Sequence, residues 1–120
     1  MPRHDAVYLR HIREAIQNIQ EFTDGMTYNT FKADKKTTAA VQRQLEIMGE
    51  AMAQLSEEFR KKHADFPFAD AISMRNILIH EYFGVDSKVV WDTCQVDLPS
   101  LLIVIEKGLE NEENAKRKAG

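Results

Sequence analysis

A single cysteine, Cys94, stands among 120 residues, so no intramolecular disulfide can form, and no Cys/His cluster has the spacing of a structural zinc site. Proline (3) and glycine (5) are scarce, which removes collagen-like and linker-dominated architectures. Long apolar runs are missing too. The longest, Leu101–Leu102–Ile103–Val104–Ile105, falls far short of the roughly 20 residues a membrane helix needs. Met1–Pro2–Arg3–His4–Asp5 has no apolar signal core behind it, so a cytoplasmic protein is expected. Nor is there a surplus of cations: 16 Lys and Arg against 19 Asp and Glu leave a net charge of −3. Any contact with nucleic acid must therefore come from a local patch rather than the global field. What remains is an ordinary globular composition, 43% hydrophobic and 29% charged, at a length that fits one domain.

Helical periodicity dominates the chain. Tyr8, Leu9, Ile12, Ala15, Ile16, Ile19 and Phe22 recur at three- and four-residue steps, with Asp5 as the expected N-cap and Asp24–Gly25 as the stop. Met26 to Phe31 reads as a polar connector with room for one helical turn. From Asp34 to His63, the positions Val41, Leu45, Met48, Met52, Leu55 and Phe59 keep the helix period without a proline, which predicts one long helix of about 40 Å. Asp65–Phe66–Pro67 ends it and opens a third helix over Phe68–Tyr82, with Gly84 as the stop. Ser87 is expected to cap a short helix carrying Val89, Val90 and Trp91. Asp97–Leu98–Pro99 reads as a cap and opening for a last helix. The expected domain is residues 1–110, an all-α antiparallel up-and-down bundle of four main helices plus a short one; residues 111–120 form a polar tail expected to fray. Apolar residues beyond a single stripe, namely Ile47, Ile77, Ile79 and Phe83, suggest a second buried face, supplied most simply by another copy of the chain.

The densest chemistry lies in Met74–Arg75–Asn76–Ile77–Leu78–Ile79–His80–Glu81–Tyr82–Phe83. Spacing alone permits a structural reading, with Arg75 paired to an acid, His80 satisfied at a helix end and Tyr82 packed with its hydroxyl tethered. The wider sequence adds to this. Arg75–Asn76–x3–His80–x–Tyr82 is accompanied by Gly49–Glu50–Ala51, Gly84–Val85–Asp86, Val90–Trp91–Asp92–Thr93 and Asp97–Leu98–Pro99–Ser100–Leu101. In this order the chain resembles the HepT family of the HEPN superfamily, the toxin partners of MntA-type minimal nucleotidyltransferase antitoxins, over nearly the whole domain. Phe68 and Ser73 depart from it, where the family often has tryptophan and glycine.

The resemblance implies a homodimeric, HEPN-like helical domain acting as a metal-independent endoribonuclease without a cofactor, its Arg75 and His80 in a cleft shared by two protomers. The chemistry is coherent. RNA brings its own nucleophile, the 2′-hydroxyl, and an imidazole can move protons near neutral pH. A guanidinium stays charged and can hold two phosphate oxygens. His80 is thus the expected proton carrier, Arg75 the phosphorane stabiliser and Asn76 an orienting group. The resemblance also makes Tyr82 the residue to which the antitoxin attaches AMP, where added phosphate charge would repel incoming RNA. On one regular helix, however, Arg75 and His80 project about 140° apart. Either Arg75 reaches round, the helix distorts, or two copies combine their residues.

Other residues read as structural. His4 and His11 have no third ligand; Arg60–Lys61–Lys62–His63 and Lys116–Arg117–Lys118 suit a helix end and a solubilising tail; Arg3, Arg10 and Arg13 could extend a basic patch. Glu50 in an apolar stripe calls for a polar contact or an interface, Trp91 for core or interface packing, and Cys94 lacks an activating neighbour. The competing functional reading is a non-catalytic subunit that binds nucleotide or presents a substrate to the nucleotidyltransferase.

Overall fold

The computed structural model describes residues 3–64, 68 and 86–119, with side chains at 5–64, 68 and 86–114. Helices run over Arg3–Thr23 (α1), Tyr28–Ala33 (α2), Lys35–Ala53 (α3), Glu57–Lys62 (α4), Ser87–Asp92 (α5) and Leu98–Ala119 (α6), with a π-helical turn at Thr93–Asp97 between the last two. The all-α expectation holds, and there is no strand among the described residues. Of the third expected helix only Phe68 is described; it is helical and buried.

Leu9, Ile12, Ala15, Ile16 and Ile19 of α1 are buried, as their spacing predicts, and pack against α3 and α6. Both contacts are antiparallel. Asp5 meets Ser56 just past α3 and Asn18 meets Gln44, while Leu9 lies beside Gly108 of α6. Phe22, assigned to the stripe, is instead 39% exposed, because the buried face continues from Ile19 to Thr23 one turn on. That stop is as expected, since Gly25 takes φ +74°, a region that favours glycine.

The connector holds more structure than its polarity suggests. Thr27 accepts from the Thr30 amide and Thr30 Oγ1 accepts from the Thr27 amide, a reciprocal cap that starts α2 and delivers Phe31 fully into the core. Asp34 then caps α3 by accepting from the Thr37 amide and hydroxyl (3.0 and 2.8 Å), which holds its carboxyl below its ordinary value.

The single 40 Å helix is not observed. All six predicted apolar positions are buried, but the helix breaks at Gln54–Ser56. Asp5 explains the break. Rather than capping its own helix, it lies inside α1, fully buried, and its carboxylate accepts from the Ser56 amide (2.8 Å) and the Ser56 hydroxyl (2.5 Å). An uninterrupted helix would need that amide for the Met52 carbonyl. Ser56 Oγ in turn accepts from the Phe59 amide and caps α4, while the Met52 carbonyl accepts instead from the Leu55 amide at 3.2 Å and from Arg60 Nη2 at 2.8 Å. Both helix ends are satisfied by side chains.

Two further boundaries differ from expectation. Asp86, not Ser87, caps α5, accepting from the Lys88 amide at 2.8 Å. Asp97 opens no new helix either, because the backbone is already helical through the π turn. Pro99 supplies the reason. It cannot donate to the Gln95 carbonyl, and its ring would collide with that carbonyl in a regular helix. Widening the turn, with the Leu98 amide bonded to the Thr93 carbonyl, removes the collision. Finally, α6 continues to Ala119, through the segment expected to fray. Leu109 is buried, Glu112 is half-buried, and Glu112/Lys116 and Glu113/Arg117 have favourable i,i+4 spacing in the sequence.

Candidate functional site

Arg75, Asn76, His80 and Tyr82 lie outside the described residues. The structure describes what flanks them. On the N-terminal side, Phe68 packs nearly edge-on against Phe59 of α4, with ring centroids 6.1 Å apart. Phe59 in turn stacks on His63 at 4.5 Å and fills the space over Gly108, where an added Cβ would come within 2.7 Å of its ring. The motif is therefore preceded by a side chain anchored at the α4–α6 contact.

On the C-terminal side, Asp86 and Ser87 begin α5. Ser87 Oγ lies 3.3 Å from the hydroxyl of Tyr28 on α2. Val90 is buried, and Trp91 packs against Phe31 with ring centroids 5.1 Å apart, so Trp91 anchors α5 to the core, as expected. Ser87 is five residues beyond Tyr82, so chain length alone keeps the two within about 18 Å.

The basic run on α4 serves the fold. Arg60 closes the end of α3, Lys62 pairs with Glu58 at 3.4 Å, and His63 packs on Phe59. His11 is exposed, edge-on to Tyr8. Glu50 is exposed rather than buried in the stripe, because α3 turns it away from α1. Cys94 is buried, which pushes its thiol up to about 12; it stays protonated and is a poor nucleophile, as expected. No group of three or more potential metal ligands occurs among the described residues.

One cluster was not visible from spacing. The ammonium groups of Lys32 (α2) and Lys88 (α5) lie 6.0 and 4.9 Å from the centroid of the Tyr28 ring. Some 56 residues separate the two lysines in sequence, and the fold brings them to one aromatic ring. No local motif signals such a pairing.

In the sequence, the Arg75–Tyr82 run places Arg, Asn, His, Glu and Tyr within eight residues, side chains of the kinds that bind phosphate and move protons. The family described as "Ribonuclease HepT-like" matches residues 12–108, and the chain belongs to that family. It is 45% identical over 107 residues to a protein of Thermococcus cleftensis named "Probable ribonuclease HepT", covering 89% of this chain and 97% of that one. It is 38% identical over 106 residues to "Putative RNase TTE0752" of Caldanaerobacter subterraneus subsp. tengcongensis (88% and 95% covered). Over 117 residues it is 38% identical to "Putative RNase MJ0127" of Methanocaldococcus jannaschii (94% and 97% covered). No solved structure matches the chain.

Proposed function

We propose that this protein is an endoribonuclease whose Arg75, Asn76 and His80 act on one phosphodiester in a cleft between two copies of the chain. The observation that carries the reading is the family match over residues 12–108, which contains the complete Arg75–Asn76–x3–His80–x–Tyr82 run. In the proposed reaction the 2′-oxygen attacks phosphorus, its proton passes to a base, and the bond to the 5′-oxygen breaks as that oxygen takes up a proton. The products are a 2′,3′-cyclic phosphate and a 5′-hydroxyl. His80 moves the proton, Arg75 holds the phosphorane charge, and Asn76 orients His80 or the phosphate. Such a step needs no metal, since the substrate supplies its own nucleophile. A two-copy cleft also answers the angular problem, because one helix turns Arg75 and His80 about 140° apart.

The same reading makes the chain the toxin of a type VII toxin–antitoxin pair. An MntA-type nucleotidyltransferase transfers AMP to the Tyr82 hydroxyl, with pyrophosphate leaving, and the added negative charge excludes RNA. Purified chain with a labelled RNA is the test: cleavage by the wild type, lost in His80→Ala and Arg75→Ala while both remain folded by circular dichroism, is expected. Full cleavage by His80→Ala would overturn the assignment. For the regulatory half, intact mass after co-expression with the transferase should rise by whole AMP units in the wild type and not in Tyr82→Phe.

A further inference from the structure

We infer that Lys32 and Lys88, gathered over the Tyr28 ring, form a second RNA contact that grips the phosphate backbone of the substrate strand beside the cleavage motif; this rests on the nuclease reading above. Both ammonium groups approach one ring, at 6.0 and 4.9 Å from its centroid, so they cannot be farther apart than the sum of those distances. The negative face of an aromatic ring attracts a cation within about 6 Å of its centroid, so the Tyr28 ring helps to hold both side chains at one place. Tyr28 is half-buried, and its hydroxyl lies within hydrogen-bond distance of Ser87 Oγ. Lys35 and Lys36 begin α3 one turn farther on, both exposed and without an ion-pair partner among the described residues.

Among the described residues, Asp34, Asp86 and Asp92 neighbour these lysines, and each offsets part of the positive charge. Asp34 accepts from Thr37 at the start of α3, and Asp86 accepts from the Lys88 amide at the start of α5, so both carboxylates face helix N-termini. Asp92 pairs with Lys88 at 3.1 Å, but both side chains are more than half exposed, and such a pair exchanges readily for a phosphate. Lys32, Lys35, Lys36 and Lys88 against Asp34, Asp86 and Asp92 leave this surface positive by one charge on a chain of net charge −3. Position completes the argument. Tyr28 touches Ser87, and Ser87 is tethered within about 18 Å of Tyr82, a distance that a few nucleotides of extended single strand can bridge.

The test measures binding of a fluorescein-labelled single-stranded RNA to the full chain by anisotropy, at several salt concentrations, in a His80→Ala background so that the RNA survives. Combined Lys32→Gln and Lys88→Gln should weaken binding at least several-fold at physiological salt and lower the log–log salt slope by about 1.4, about 0.7 for each lost phosphate contact. Combined Lys61→Gln and Lys107→Gln, at exposed lysines on α4 and α6, serves as the control for the two lost charges. Equal affinity and slope for the two double variants would overturn the inference. The nuclease reading fails separately: wild-type chain that binds RNA with the lysine-dependent slope but never cuts it leaves this contact standing and removes the catalytic one.

Discussion

Removing the Asp5 carboxylate tests the packing logic of the whole domain. Asp5 is fully buried and receives two hydrogen bonds from Ser56, at 2.8 and 2.5 Å, across 51 residues of sequence. Hydrogen bonds to a charged acceptor contribute about 1.5–3 kcal/mol each, and two from one residue are not independent. Asp5→Ala should therefore cost about 2–4 kcal/mol, and for a chain of this size roughly 10 °C in Tm. Asp5→Asn retains one acceptor for the Ser56 amide. Its amide group must then donate to Ser56 Oγ, which already accepts from Phe59, so a loss of about 1–2 kcal/mol is expected. Ser56→Ala should fall between the two, and the Asp5→Ala/Ser56→Ala double variant should be less destabilised than the sum of the singles by about 1 kcal/mol or more. Urea unfolding followed at 222 nm gives all four values. If Asp5→Ala loses under 0.5 kcal/mol, or the two sites prove additive, the carboxylate does not hold the α3–α4 break.

Three further predictions follow from other corners of the bundle. Gly108→Ala gains about 1 kcal/mol of helix propensity but drives a methyl to 2.7 Å from the Phe59 ring, an overpacking cost of about 1–3 kcal/mol. Thermal melts should show a net loss that Phe59→Leu reverses in the double variant; a plain gain in Tm for Gly108→Ala would contradict the contact. Cys94, with its thiol pushed from 9.0 to about 12 by burial, binds its proton more tightly folded than unfolded. Stability carried by that proton is complete below pH 9 and is lost as pH rises towards 12, with a slope of up to about 1.4 kcal/mol per pH unit that Cys94→Ala should remove. Burial, followed by the Asp5 charge, raises the carboxyl of Glu112 above its ordinary value, so its ionisation opposes folding. Glu112→Gln should accordingly raise Tm at pH 7 and lose that advantage at pH 4; an equal shift at both pH values would show that charge is not the cause.

Much of the helical frame was legible because burial and period coincide. Leu9, Ile12, Ile16 and Ile19, then Val41, Leu45, Met48 and Met52, fall where the stripe puts them. The break between α3 and α4 was not, although Ser56–Glu57–Glu58 is a cap followed by first-turn acids. Apolar period runs through a break whose two sides share a core, and the deciding partner, Asp5, is 51 residues away. The π turn escaped for a related reason: Asp97–Leu98–Pro99 can start a helix or widen one already formed, and only the preceding backbone selects between them. The site divides the same way. Arg75, Asn76, His80 and Tyr82 stand out because they sit within eight residues, whereas Tyr28, Lys32 and Lys88 are joined only by the packing of α2 against α5.

The central claim is that the RNA 2′-hydroxyl is the nucleophile and His80 moves its proton. End-group analysis of the cleaved strand, paired with an RNA carrying a single 2′-deoxy sugar at the cut position, tests it directly. The account predicts 2′,3′-cyclic phosphate and 5′-hydroxyl ends from the all-RNA strand and no cut at the deoxy position. Ends carrying 5′-phosphate, or unimpaired cutting at the deoxy sugar, would contradict it.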